Sequence, residues 1–325
     1  MKPMLKWTAL ALAVCLPLSA QAHRAWMLPS STVLSGEDPW VTVDAAVSND
    51  LFYFEHVPLQ IEGVGKPLQL APRPAPQGEA ASGAGAPSAV TPGAGAPAAG
   101  TPGAGAPASQ PPMRRPANVL LITAPDGSRL EPQNGATGRY RSTFDVHLTQ
   151  KGTYKLAIAS DNLIAIWKEN GENRRWMGKL DDLAANVPAK AEGLRVIQGN
   201  NRMETFVTSG KPTDGVFQPT NKGLELVPVT HPNDLFAGEA AEFTFLLDGK
   251  PAAHVEVSVV PGGNRYRDQT GDFAVKTDAA GKASITWPAP GMYWIEAEYR
   301  SQDGVAKPVT ERRAAYSATL EVLAP

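Results

Sequence analysis

The chain has 325 residues, with 30 lysine and arginine side chains against 32 aspartate and glutamate side chains, and a formal net charge of −2. This mild balance, without a basic block, argues against nucleic acid and anionic lipid as partners. The length is sufficient for two hydrophobic cores of ordinary size.

Residues 1–22 have the three parts of a secretory signal peptide. A basic start precedes an apolar run that is too short to anchor in a bilayer, and Ala20 and Ala22 place small residues where a signal peptidase reads. We predict cleavage after Ala22 and export to a bacterial periplasm, with no membrane-spanning segment after the cut. The single cysteine, Cys15, would leave with this segment, so the mature chain would have neither a thiolate ligand nor a disulfide.

The remaining sequence alternates apolar and polar residues in short segments separated by glycine and proline, which is typical of β-strands and turns. In chain order the clearest segments are PWVTVDAAV, FYFEHVPLQIEG, NVLLITAPDG, YRSTFDVHL, GTYKLAIAS, LELVPV, EFTFLLDG, HVEVSVVPGG, FAVKTDAAGKASITWP and GMYWIEAEYR. The one helix-compatible segment, KLDDLAANVPAKAEGLR, is broken by Pro188. We predict an all-β fold of two β-sandwich domains in tandem, residues 23–222 and residues 223–325.

A glycine-, alanine- and proline-rich insert interrupts the first domain at residues 71–116, where GAGAP recurs three times. It has almost no large apolar side chain, so it cannot bury enough surface to offset the entropy of ordering. We predict a disordered insert, which serves either as a tether or as a tolerated loop expansion.

Several phrases carry a family resemblance. The TDAAG and PGMYW segments of the second domain resemble the signature of transthyretin-like and carboxypeptidase-regulatory β-sandwiches. Together with AHRAWMLPS, FDVHLTQKGTYKLAIAS, WKENGENRRWMG and ELVPVTHPNDLFAGEAAEFTFLLDGKPA, they resemble the DUF4198 family. The resemblance implies an exported bacterial β-protein, in some members associated with nickel or cobalt uptake. A TonB-dependent receptor or an inner-membrane transporter is the implied partner.

His23 would become the first residue of the mature chain. Its α-amine and its imidazole can then bind one metal ion together, because an α-amine titrates near about 8 and is displaced from its proton by metal near neutrality. Copper monooxygenases and some periplasmic copper carriers use such an N-terminal histidine with a second histidine. The alternative is that His23 only begins the first strand.

The mature sequence would contain four further histidines, two of which are candidates for the second ligand. His56 can face His23 from a neighbouring strand, and His231 lies in a loop, where functional residues are frequent. His147 has Asp145 on the same strand face and is read as a surface contact, and His254 as structural or exposed. We therefore predict a metal site of His23 with His56 or His231.

Two arginine-rich turns could hold an anionic chelate by charge and stacking. One contains Arg174, Arg175 and Trp176, and the other contains Arg265 and Arg267. Solvated hairpin arginines are the alternative reading. A cleft between the two sandwiches is a second place where a chelate could bind.

These features predict a periplasmic accessory protein that binds nickel, cobalt, copper or iron, as an ion or as a chelate, without catalysis. Motifs for nucleotide binding, zinc proteolysis and serine hydrolysis are absent from the sequence. Two alternatives remain at this point: a copper-dependent oxidase that uses the N-terminal histidine, and a structural adaptor that binds an envelope partner through edge strands.

Overall fold

The computed structural model describes residues 23–65, 118–188 and 190–325. The predicted signal peptide and the predicted disordered insert lie outside the described residues. The described chain is almost entirely β-structure, which confirms the predicted all-β class.

The described strands are, in chain order, β1 (Arg24–Pro29), β2 (Val33–Leu34), β3 (Trp40–Ser48), β4 (Val57–Pro58), β5 (Val119–Thr123), β6 (Arg129–Leu130), β7 (Gln133–Thr137), β8 (Ser142–His147), β9 (Gly152–Glu169), β10 (Glu172–Gly178), β11 (Glu192–Ser209), β12 (Leu224–Pro228), β13 (Ala240–Leu247), β14 (Lys250–Pro251), β15 (Glu256–Pro261), β16 (Phe273–Lys276), β17 (Lys282–Thr286), β18 (Gly291–Ser301) and β19 (Glu311–Val322). One α-helix, α1 (Leu180–Asn186), lies between β10 and β11. None of the described helices is long and apolar enough to cross a membrane.

The strands form three sheets. The N-terminal sheet has the order β1-β3-β8-β7, with β4 also on β3, and the C-terminal sheet has the order β12-β13-β14, with β17 also on β13. The central sheet has ten strands, with the order β16-β15-β18-β19-β11-β9-β5-β6 and with β10 on β9 and β2 on β11.

The central sheet is shared by both halves of the molecule. Its halves meet where β11 pairs in parallel with β19, from Ile197 opposite Glu311 to Thr205 opposite Thr319. Along β11, Met203 packs into the N-terminal core and Phe206 into the C-terminal core. Because these residues point to opposite faces of the strand, the two smaller sheets pack on opposite faces of the central sheet.

Each face therefore has its own sandwich core. The N-terminal core is built from Met27, Val41, Val43, Phe144, Val146, Tyr154, Leu156 and Val207, and the C-terminal core from Phe243, Phe245, Val257, Val259, Ile285, Trp287, Ile295 and Tyr316. Burying a side chain of this size contributes roughly 1.5–3 kcal/mol. The chain is thus a pair of β-sandwiches joined through a common sheet, and the division into domains at residue 222 stays a prediction.

Two hairpins follow from their turn residues. Asn170 and Gly171 connect β9 to β10 with φ of 53° and 81°, and Asp248 and Gly249 connect β13 to β14 with φ of 50° and 76°. Two consecutive positive φ values fit the right-handed twist of paired strands, and asparagine, aspartate and glycine tolerate them best.

The segment FYFEHVPLQIEG, predicted as a strand or a strand with a turn, contains mostly the turn. Residues 51–56 form a turn and a bend, and only Val57–Pro58 pairs with β3. Phe52 has a φ of 65°, a left-handed conformation that interrupts an extended strand. His56 consequently lies in the bend before β4.

Candidate metal and ligand site

The rings of His23 and His56 are stacked on each other, with centroids 3.9 Å apart and an interplanar angle of 14°. Both residues lie at the same end of β3, because Arg24 of β1 is opposite Ser48 and Val57 of β4 is opposite Val47. The registers of two strand pairs thus bring together two histidines that are 33 positions apart in the sequence.

A network of ion pairs holds the loop that carries His56. The Glu55 carboxylate accepts hydrogen bonds from the backbone N–H groups of Asn49 and Asp50, at 2.9 Å and 3.0 Å. Arg265, from the C-terminal half, donates to Asp50 at 3.1 Å and to Glu55 at 3.0 Å. Its guanidinium also lies 4.3 Å from the centroid of the Tyr53 ring. Arg265 therefore positions this loop through contacts within the protein.

In the observed stack, the two histidine rings are not oriented to bind one metal ion together. Ring-nitrogen lone pairs lie in the ring planes, so two nearly parallel rings do not aim them at one point. Metal bonds from both rings would have to be about 2.0–2.1 Å long, so binding requires at least one ring to rotate out of the stack. Among the described residues, no group of three or more histidine, cysteine, aspartate or glutamate side chains could hold a metal ion. A third nitrogen would have to come from the α-amine of His23 after cleavage.

A cleft of about 680 Å³ opens beside this pair and includes His23 in its lining. Its floor is the central sheet, on the same face that the N-terminal sheet covers further along. Ser160 of β9 is opposite Asn201 of β11, and Glu296 of β18 is opposite Ser317 of β19, whereas Asn201 and Met203 of β11 are opposite Ala315 and Ser317 of β19. All six residues line the cleft. The floor thus takes two strands from each half of the molecule.

Three charged side chains line one side of the cleft, namely Arg24, Asp272 and Glu296. The Arg24 guanidinium lies 5.5 Å from the centroid of the Trp294 ring. Burial, together with repulsion from Glu298, raises the pKa of Glu296 to about 7, and Arg24 opposes this rise. A hydrogen bond from the Thr270 hydroxyl holds the pKa of Asp272 below its ordinary value, with a smaller contribution from Arg24. Arg24 is therefore near two carboxyl groups of different acidity.

His231 lies in a separate place and is fully hydrogen-bonded. Its Nδ1 accepts the backbone N–H of Asn233 at 3.0 Å, so its Nε2 carries the proton and donates to the Thr153 hydroxyl at 2.9 Å. Thr153 bonds to Thr208, and Thr208 donates to the Asn233 side-chain oxygen at 2.9 Å, which closes the ring of contacts. Burial lowers the pKa of His231. Both ring nitrogens are therefore occupied.

His231 also lies far from the stacked pair. It contacts Thr153, whereas the cleft that includes His23 reaches the same strand at Ser160. Seven residues of extended strand span roughly 23 Å. The structure thus brings together His23 and His56 of the three predicted metal ligands, and uses His231 to join the THPND loop to β9 and β11.

The other sequence candidates are distributed over the surface. His147 stacks on Trp40, with centroids 4.2 Å apart, and is bonded to Asp38. His254 is exposed, with a φ of 60°. Arg267 donates to the backbone oxygens of Pro261 and Thr270, at 3.0 Å and 2.9 Å.

The first predicted arginine turn is the β10 strand of the β9–β10 hairpin. Arg174 is paired with Glu169 at 3.0 Å and with Glu172 at 3.5 Å, whereas Arg175 is exposed. Trp176 packs on the small apolar cluster around helix α1. Within the described residues, the arginines that line the cleft are Arg24 and Arg202, and none of the five residues predicted to bind a chelate is among the lining residues.

Sequence reasoning missed Arg24, Asp272 and Glu296 as site residues. The sequence around Glu296 does contain an indication of its position. The three residues before it, Tyr293, Trp294 and Ile295, are large, apolar or aromatic, and all three are buried. A run without alternation indicates a strand buried on both faces, and a carboxylate that continues such a run faces a partly buried site.

Comparison with known protein families identifies the family of this chain. Residues 86–301 match the model of the family described as a domain of unknown function, DUF4198. The chain belongs to this family. The match begins after His56, so His23 and His56 lie before the matched range, and Asp272 and Glu296 lie within it.

Two solved structures show remote likeness to this DUF4198 chain. The D0-D1 domain of intimin is 11% identical, with 91% of this chain and 97% of that chain covered and a TM-score of 0.19. A DUF3823 family protein from Bacteroides uniformis is 12% identical, with 63% and 88% covered and a TM-score of 0.20. Scores of this size support no inference about function. No curated protein matches the chain significantly.

Proposed function

We propose that the protein is an exported accessory of metal uptake, which reversibly binds a first-row transition metal ion or its chelate without catalysis. The α-amine and ring of His23 bind the metal after cleavage at Ala22, and the ring of His56 adds a further nitrogen. The cargo passes to a TonB-dependent receptor or an inner-membrane transporter.

The observation that carries this proposal is the stack of His23 on His56 at 3.9 Å. Imidazole nitrogen is a good ligand for nickel, copper, cobalt and zinc. The pair lies at the edge of a cleft, where an ion can arrive from solvent. The resemblance to family members associated with nickel and cobalt supports the choice of metal.

The test compares mature protein that begins at His23 with the same protein acetylated at its α-amine. Titration with Ni²⁺, Co²⁺ and Cu²⁺ should show an affinity at least about tenfold lower for the acetylated protein, because acetylation removes the amine as a ligand. His56→Ala should weaken binding to a comparable degree. His254→Ala, at an exposed histidine outside the stacked pair, is the matched control and should bind as the wild type does. Equal affinity of the free and acetylated proteins would contradict the role of the His23 amine.

The same pair of histidines also fits the rival reading, a copper oxidase with an N-terminal histidine. That reading requires a strong preference for Cu²⁺ and turnover of peroxide or of a reduced substrate by the copper-loaded protein. Nickel or cobalt binding without turnover favours the accessory role, and copper-specific turnover that is lost in His56→Ala favours the oxidase.

A further inference from the structure

The stacked pair alone does not complete the coordination of a metal. The two rings and the α-amine of His23 supply three nitrogens, whereas first-row ions bind at least four ligands in most protein sites. In the described residues no third acidic or histidine side chain joins them. At least one position on the metal is therefore left for a ligand that arrives with it.

The cleft has the size and lining for such a ligand. A volume of about 680 Å³ lies within the range of small-molecule sites. Hydroxyl and amide groups of Ser160, Asn201 and Ser317 line its floor, and these groups can donate to or accept from a polar compound.

Arg24 and Arg202 both line the cleft, but Arg202 is ion-paired with Glu204 and Glu225, so Arg24 is the lining cation that is available to a ligand. Arg24 follows His23 in the sequence, and both residues line this cleft. Arg24 contacts the face of Trp294, but the described residues give its N–H groups no hydrogen-bond partner. A guanidinium with free donors is suited to bidentate binding of a carboxylate.

We propose that the cargo is a metal complex of a small carboxylate chelator, in which His23 and His56 bind the metal and Arg24 binds a carboxylate of the chelator. This inference rests on the proposed function and specifies its ligand. The neighbouring carboxyls of Asp272 and Glu296 exclude compounds that are only anionic, and favour a complex that carries a cationic centre beside its carboxylates.

Two nickel complexes test this inference because both leave three positions on Ni²⁺ open for the protein nitrogens. Iminodiacetate presents two carboxylates, whereas diethylenetriamine binds through three amines and has no carboxylate. Calorimetric titration of mature protein with Ni²⁺ alone and with each complex gives three affinities for every variant.

Arg24→Gln should lower the affinity for the iminodiacetate complex about tenfold, the effect of losing a charge-assisted hydrogen bond. It should leave the affinities for Ni²⁺ alone and for the amine complex within about twofold of the wild type. Arg24→Lys keeps the charge but not the fork, and should lie between the two. Arg139→Gln, at an exposed arginine outside the cleft lining, should change none of the three affinities.

The outcomes separate the two proposals. Intact Ni²⁺ binding with no selective effect of Arg24→Gln on the carboxylate complex overturns this inference and leaves the proposed function standing. Loss of all three affinities in Arg24→Gln, with Arg24→Lys equally affected, assigns Arg24 to the fold and also overturns it. Failure of the wild type to bind Ni²⁺ overturns the proposed function together with the inference.

Discussion

Glu296 lines the cleft, and burial of its ionised carboxylate is unfavourable for the folded state. Its carboxyl lies on the sheet floor between buried strands, and burial raises its pKa to about 7. In the unfolded chain the same group titrates near its ordinary value, about 4.5. The folded form therefore holds a proton over a pH window in which the unfolded form has lost it.

This difference predicts how stability changes with pH. Between about pH 4.5 and pH 7 the contribution of Glu296 to the free energy of unfolding falls as pH rises, because the folded state binds the proton more tightly. The loss is up to about 3 kcal/mol, reduced by solvent screening at a partly buried site. Glu296→Gln should be more stable than the wild type at pH 8 and nearly equal to it at pH 4.5. Urea unfolding at both pH values measures this.

The matched control is Glu256→Gln on the adjacent strand β15, where the carboxylate is exposed. This variant should show the pH dependence of the wild type. An equal gain of stability at both pH values in Glu296→Gln would contradict the proton-linked explanation.

At the scale of single residues, the sequence identified the histidines that are candidate metal ligands, but it did not predict the contacts that each of them makes. His23 and His56 could be named from chemistry, but their stacking depends on the registers of β1 and β4 on β3, which no local pattern specifies. His231 has the loop context of a functional residue, yet its ring of hydrogen bonds joins its own loop to two distant strands, through Thr153 and Thr208.

At the scale of elements, the loop between β3 and β4 is attached to the C-terminal half through Arg265. This arginine bonds to both Asp50 and Glu55, and Glu55 in turn fixes the backbone just after β3. The loop therefore depends on a side chain from more than 200 positions away in the chain.

Arg265→Ala should release this loop and with it His56. We expect roughly a threefold to tenfold lower affinity for Ni²⁺, since the bound position of His56 would have to be ordered on binding. Far-ultraviolet circular dichroism should remain that of the wild type. Arg300→Ala, which removes an exposed ion pair with Glu298, provides the control and should leave the affinity unchanged. Unchanged binding by Arg265→Ala would show that the loop is ordered without this contact.

Most strands were predictable because they alternate with period two and end at glycine or proline. The strand β11 was not, since Gly199, Asn200 and Asn201 interrupt the apolar pattern in its middle. Its pairing with β9 and β19 overrides this weak local preference. At residues 51–56 the prediction was wrong in the opposite way. Aromatic residues suggested a strand, but Phe52 adopts a left-handed conformation there.

At the scale of the whole molecule, the sequence predicted two sandwiches but not how they are joined. The joint is a nine-residue parallel pairing between β11 and β19, which is long-range in the chain and has no local sequence signature. A second connection is buried beside it. Arg202 pairs with Glu204 at 3.0 Å and with Glu225 at 3.4 Å, and Tyr316 donates to Glu204 at 2.9 Å.

We expect the described halves to unfold together. Separating them would expose the edges of β11 and β19 and leave buried charges without partners, which costs several kcal/mol. Scanning calorimetry of the mature protein should give one transition with equal calorimetric and van't Hoff enthalpies. Residues 223–325 alone should be less stable than in the whole chain. Two resolved transitions would instead support independent domains.

The strands of the cleft floor affect how long a molecule survives proteolysis when a compound is bound to them. Since β9 and β11 belong to one half and β18 and β19 to the other, any compound bound across them stabilises both halves at once, by an amount that grows with its concentration over its dissociation constant. Proteases cleave a chain mainly when it opens. Molecules with such a compound bound would therefore be cleaved more slowly than empty ones, and degradation alone would enrich the population in the bound form.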